Sequence, residues 1–374
     1  MFGKIQVVLA AVLTMAAGAP ATAAQRPSDP VRTAAMVALR QLVADGNPAA
    51  LGYLRIGDRQ WRLAAGTADR STGAPATPGD RFRIASNTKA FVATVVLQLV
   101  GEGRLSLDDP VSRRLPGLAD RVTVRELLDH TSGIPDPTED SHFFDPYFVR
   151  HDWGYVYRPR DVITLALREP PAFPPGTGYR YSNTNYLLAG LVIEAVTGHS
   201  AVSEIQHRLI GPLGLRDTSF PVTDPHIHGR HLHGYDKSYT DVSTFSPSYD
   251  WTAGAMISTT ADLATFYRAL YGGRLLAPAQ QRALGTTVPE PDAPIAAGLG
   301  VFRMTLTCSD GAAVPVWEND GAGPGYLSMS MASLDGSRQA IAVVNVYDLD
   351  VEVHGGVPII PSSGAIDVMR AALC

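Results

Sequence analysis

Ser86 and Lys89 stand three residues apart in the stretch RIASNTK, just before the apolar run AFVATVVLQLV. Residues three apart on a helix share a face, so hydroxyl and amine can meet. At a helix N-terminus, free N–H groups and the dipole favour developing negative charge. The apolar run would bury Lys89, and burial disfavours an ammonium. A neutral amine beside a hydroxyl is a general base beside a nucleophile. The same spacing, taken alone, also describes a capping serine and a solvated lysine.

A second pair strengthens the first. Tyr181 and Asn183 lie two apart in YRYSNTNYLLAG, again before an apolar run. Residues two apart in an extended segment point the same way. A phenol there can pass a proton, and a carboxamide can hold a substrate amide.

These groups need a scaffold. PVRTAAMVALRQLVAD places Val31, Ala35, Met36 and Leu39 on a helical period, with a stop at Gly46. ALGYLRIGDRQWRLAAGTAD alternates on both sides of Gly57-Asp58, which predicts a hairpin. From about 84 to 280 the chain reads as helices joined by long loops. FVATVVLQLVGEG and NYLLAGLVIEAVTG are apolar nearly all round, so both helices are buried. Thr123 precedes Glu126 by three residues, a capping-box pattern, and Thr259 or Thr260 caps a further helix. Alternating runs return near the end, with LDGS as a hairpin turn and a last helix at GAIDVMRAAL. Strands at both ends with helices between them predict one antiparallel sheet made from distant chain segments, an α/β (α+β) domain.

The chain of 374 residues is 45% apolar and 18% charged, so a sizeable core is expected. A formal net charge of -5 and the absence of a basic stripe argue against nucleic acid. Residues 1–24 read as a secretory signal peptide: one early lysine, a short apolar run, then PATAAQ with small residues for cleavage. The expected product, residues 25–374, is secreted and carries no membrane anchor. Oxidising surroundings then favour a disulfide between Cys308 and Cys374, clamping the last residue to a distant strand. His226, His228, His231 and His233 are crowded in one loop, but no cysteine completes a zinc set. No metal or other cofactor is expected. Asp129 and His130, beside Thr131 and Ser132, are adjacent in sequence and point apart on a helix, so no triad is read there.

The chain resembles the serine β-lactamase and DD-peptidase superfamily. The likeness runs from about residue 30 to 374. It rests on FRIASNTKAFVATVVLQLVGEGRLSLDDPV, ELLDHTSGIPD, PGTGYRYSNTNYLLAGLVIEAVTG, AGAMISTTADLATFYRALYGGRLL and GAGPGYLSM. It is most similar to exported D-alanyl-D-alanine carboxypeptidases and class C-like penicillin-binding enzymes. The resemblance implies a β-lactamase/transpeptidase-like fold, with five or more antiparallel strands flanked by helices. It implies a Ser86 nucleophile, Lys89 and Tyr181 sharing proton transfers, and Asn183 on the substrate amide. The oxyanion hole would use the amides of Ser86 and Ala322, and Trp251 would line the site or fill the core. The implied partner is a small-molecule or peptide acyl substrate: a peptidoglycan stem peptide, a β-lactam, or an ester or amide metabolite.

Two departures bear on specificity. Relatives place His or Lys at the head of the third motif; here the run is Asn319, Asp320, Gly321. An amide cannot change charge. Relatives also grip a terminal carboxylate with an arginine on the strand before Cys308. Here Phe302 falls at that position, and Arg303 faces the other side of a strand. The leading expectation is a carboxypeptidase- or β-lactamase-like hydrolase. The alternatives are an acyltransferase using an amine or alcohol acceptor, and a penicillin-binding protein without turnover.

Overall fold

The computed structural model describes residues 29–290, 294–360 and 362–374. The signal-peptide expectation lies outside those residues. Helix α1 (Pro30–Ala44) opens the described chain; Asp29 caps it by accepting from the amides of Val31 and Arg32, and Pro30 supplies a preset first turn. Strands β1 (Ala49–Ile56) and β2 (Arg59–Asp69) then form the hairpin around Gly57-Asp58. The short strands β3 (Ala74–Pro75), β4 (Phe82–Arg83), β5 (Ile257–Ser258), β6 (Val288–Pro289) and β7 (Ile295–Ala297) follow along the chain. The last four are β8 (Phe302–Thr307), β9 (Ala313–Gly323), β10 (Tyr326–Ser333) and β11 (Arg338–Val344).

Nine of these make one antiparallel sheet, in the order β3-β2-β1-β11-β10-β9-β8-β7-β6, while β4 pairs with β5 apart from it. Strand β1 lies against β11, with Leu51 opposite Val343 and Tyr53 opposite Ile341. The first and last strands of the sequence are thus neighbours at the middle of the sheet.

Both faces of the sheet are covered, which explains why β11 reads as a continuous apolar run rather than an alternation. Ala340, Ala342 and Val344 pack with Leu39 of α1 and with Val368 and Met369 of the C-terminal helix Gly364–Leu373. Ile341 and Val343 face the opposite way, into a larger core shared with Phe91 and Phe266. Helix α2 (Thr88–Gly101) runs through that core with 11 of its 14 residues buried. The Asn183–Thr197 helix is buried beside it. The helical region expected between 84 and 280 is where these two helices and the Thr260–Tyr271 helix lie. Thr123 and Glu126 form a reciprocal capping box, and Thr259 caps the Thr260–Tyr271 helix. Cys308 and Cys374 are joined, tying the end of the C-terminal helix to the loop after β8.

Candidate active site

Ser86 lies in the tight turn Ala85–Asn87 that leads into α2. Ala85 has φ 42°, in the region an L side chain rarely adopts. Asn87 pins this turn from the inside. Its amide nitrogen donates to Ile84 O and Ser328 Oγ, and its oxygen accepts from Tyr267 OH. Ser86 is therefore tied to β10 and to the Thr260–Tyr271 helix by its own neighbour.

Lys89 reaches back from the first turn of α2. Its Nζ lies 3.0 Å from Ser86 Oγ, 2.7 Å from Asn183 Oδ1 and 2.9 Å from the carbonyl of Ala253. Three acceptors suit the three protons of an ammonium. They suit a neutral amine equally: Asn183 and Ala253 take its two protons, and the lone pair faces Ser86. Burial pushes the Lys89 pKa down to about 8, while Asp250, Asp136 and Asp320 hold it up. Every charged group acting on this amine is acidic.

The Tyr181 hydroxyl donates to Ser86 Oγ at 2.9 Å. Burial drives its pKa well above the usual phenol value, so at neutral pH it is a donor and not a base. His130 forms the platform beneath it, with ring centroids 4.3 Å apart and nearly parallel planes. His130 Nδ1 accepts from the Ser182 amide at 3.2 Å, and burial drives its pKa well below the usual value. It is a neutral support. Asp129 turns instead to the Thr131 amide and hydroxyl, so this segment holds no Ser-His-Asp relay.

Asn183 opens its helix with the backbone N–H donating to Asp136 Oδ2 at 2.7 Å. Its side-chain oxygen serves Lys89, and its nitrogen reaches Thr138 Oγ1 at 3.3 Å. The side-chain amide expected to hold substrate is engaged with Lys89.

The third motif lies on β9. Strand β8 begins at Phe302, opposite Glu318, so it lends no partner to β9 from Asn319 to Gly323. That edge faces the Ser86 turn. A Cβ on Gly321 would stand 2.2 Å from Ile84 O and 2.6 Å from Asn87 Nδ2, so the approach needs glycine. Ala322 follows on the same edge, opposite Leu327 of β10. Asn319 turns inward: it is 3% exposed, accepts from Tyr271 OH at 2.6 Å and donates to Gly300 O at 3.1 Å. Asp320 faces the other way and keeps a path to solvent. Crowding by protein raises its pKa, and Lys89 pulls it back. Glu318 is buried on the same strand, and desolvation with Asp320 and Glu290 nearby raises its pKa strongly. Arg303 pairs with Trp317 across the strands and lays its guanidinium over that indole, 5.6 Å from the ring centre.

Trp251 is buried with its ring against Gly190, inside the core. Of the histidine loop, His226 and His228 pair with Asp224 and His233 with Asp241. No cluster among the described residues is built to hold a metal ion.

The fold thus brings Ser86, Lys89, Tyr181, Asn183 and the Gly321–Ala322 edge together, and turns Asn319 away. His130, Asp136 and Asp250 join the site without having been singled out for it. The ELLDHTSGIPD block carried the first two, but no spacing rule marks a histidine as the platform for a tyrosine.

Residues 38–352 match the family described as Beta-lactamase. The chain belongs to that family, and the fold just described is the family's. Among solved structures it is similar to a D-stereospecific amidohydrolase from Streptomyces sp., 38% identical with a TM-score of 0.76, covering 84% of this chain and 94% of that one. It is also similar to the D-amino acid amidase of Ochrobactrum anthropi SV3 complexed with L-phenylalanine amide, at 26% identity and a TM-score of 0.75, covering 92% and 96%. A penicillin binding protein from Bacillus halodurans aligns at 25% identity and a TM-score of 0.69, over 92% and 98%. Among curated proteins, esterase EstB of Burkholderia gladioli is 34% identical over 193 residues, 46% of each chain. The chain spans less than half the length of the curated relatives it matches first.

Proposed function

We propose that the protein is an exported serine acyl-enzyme hydrolase that cleaves amide or ester bonds of small substrates lacking a carboxylate at the leaving end. In the acylation step, neutral Lys89 takes the Ser86 proton as Oγ bonds to the substrate carbonyl carbon. The amides of Ser86 and Ala322 hold the oxyanion, a contribution of roughly 2.7 to 4 kcal/mol per donor. The C–N or C–O bond breaks, and Lys89 returns the proton to the leaving group, directly or through the Tyr181 hydroxyl. Water repeats the sequence on the acyl-enzyme, releasing the acid and restoring Ser86 and Lys89.

The observation that carries the substrate class is the charge around Ser86. Asp136, Asp250 and Asp320 act on Lys89, Asn319 is turned into the core, and Arg303 is laid over Trp317. This is a poor setting for the terminal carboxylate of a D-alanyl-D-alanine peptide. It suits a neutral or amine-bearing acyl donor, as the amidase likeness also suggests. The test is intact-protein mass spectrometry over time with D-phenylalanine amide, a D-alanyl-D-alanine peptide and a fluorescent penicillin, beside Ser86→Ala. Faster turnover of the amide than of the peptide supports the reading. Faster turnover of the peptide, or an adduct that survives in Ser86→Ala, overturns it.

A further inference from the structure

Two buried tyrosines that the chemistry above does not use reach both walls of the oxyanion pocket from one helix. Tyr267 and Tyr271 lie four apart on the Thr260–Tyr271 helix, so they share a face. They are 3% and 6% exposed. Their rings stack with centroids 5.4 Å apart and planes 4° from parallel. Tyr271 stacks in turn on Trp317 of β9, at 5.2 Å and 3°. The three rings form one column from the helix to β9, and the column fixes where both hydroxyls sit.

Each hydroxyl makes the same kind of link. Tyr267 OH donates to Asn87 Oδ1 at 2.7 Å, and Asn87 Nδ2 donates onward to Ile84 O at 3.0 Å. Tyr271 OH donates to Asn319 Oδ1 at 2.6 Å, and Asn319 Nδ2 donates onward to Gly300 O at 3.1 Å. Both asparagines are buried, so water does not stand in for a lost partner. The first link ends at the Ser86 turn: Asn87 follows Ser86, and Ile84 O is the carbonyl against which Gly321 packs. The second holds β9 three residues ahead of Ala322 and ties it to α2, because a Cβ on Gly300 would stand 3.1 Å from Lys89 O. A carboxamide at 319 suits this use, since it accepts and donates at once.

We propose that Tyr267 and Tyr271 are positioning residues that set the gap between the two oxyanion donors. Tyr267 fixes the Ser86 amide through Asn87, and Tyr271 fixes the Ala322 amide through Asn319. The two hydroxyls stand one helical turn apart, so a single rigid element references both walls of the pocket. Both hydroxyls are spent on interior asparagines, and neither reaches substrate. The proposal rests on the acyl-enzyme reading, with the amides of Ser86 and Ala322 as the donors.

Tyr267→Phe and Tyr271→Phe keep the ring column and remove only the hydroxyls. Pre-steady-state release of p-nitrophenolate from an activated ester gives the acylation rate and its half-saturating concentration. A misplacement of about 1 Å costs about 100-fold in rate, so the smaller slack left by one hydroxyl should cost about tenfold. Half-saturation should not change, because a loosened gap weakens the transition state and not the ground state. The double variant should also be about tenfold slow rather than about a hundredfold, because either change alone already frees the gap. Wild-type acylation in a folded single variant overturns the proposal, whatever its melting temperature. So does a double variant whose loss is the product of the single ones, or a rise in half-saturation in place of a slower rate. If circular dichroism shows one single variant unfolded, the other decides alone; if both are unfolded, the hydroxyls are structural and the proposal fails. A wild type that shows no burst refutes the acyl-enzyme reading itself, whereas a burst in the wild type confines any failure to the tyrosines.

Discussion

Gly321→Ala tests whether the β9 edge sets the geometry at Ser86. The added Cβ would stand 2.2 Å from Ile84 O, more than 1 Å inside ordinary van der Waals contact, and the atom it meets is backbone. Asn87 Nδ2, at 2.6 Å, blocks the other direction, because that amide is held by Ile84 and Ser328. No flexible side chain can yield, so the strand must draw back from the Ser86 turn by about 1 Å, a misplacement that typically costs about 100-fold in rate. That is about 2.7 kcal/mol of transition-state stabilisation. Overpacking should also lower stability by about 1–3 kcal/mol. Pre-steady-state release of p-nitrophenolate from an activated ester reports acylation, and a thermal melt reports stability. Acylation at the wild-type rate would refute the placement of the oxyanion donors on this edge, whatever happened to the melting temperature.

Three further outcomes are expected. Tyr181→Phe keeps the ring stacked on His130 but removes the donor to Ser86 Oγ; acylation should fall by about 100-fold or more with an unchanged melt, and a wild-type rate would remove Tyr181 from the proton path. Arg303→Ala should leave KM for a peptide with a terminal carboxylate unchanged, because its guanidinium lies on Trp317; a tenfold rise in KM would return it to the binding site. Cys374→Ser opens a loop of 66 residues, which in the chain-entropy picture is worth about 4 kcal/mol; two thiols titrating in the denatured, unreduced wild type would refute the bond.

The meeting of Ser86 and Lys89 was legible because a three-residue spacing at a helix start is enforced by helix geometry alone. The buried helices were legible for a similar reason: each carries its apolar pattern within one segment. Asn319 was different. Its inward turn depends on β9 being locked to β10 with Asn319 opposite Ser330, and a strand run does not announce its register. Asp250 was illegible because nothing local marks a carboxylate as buried; Lys89 and Asp136 approach it from other segments. The sheet is wider than its obvious strands suggest because β3, β6 and β7 have two or three residues each, too few to show alternation.

The pairing of β1 with β11 has a consequence for how the chain is made. These central neighbours are separated by nearly the whole sequence, so much of the sheet cannot close until the last strands have left the ribosome. Long-range pairing of this kind folds slowly. Until then β1 and β10 each present a bare hydrogen-bonding edge, an invitation to pair with other chains. Removing the final 37 residues would therefore not trim a margin. It would take out the middle of the sheet and leave two halves seeking partners.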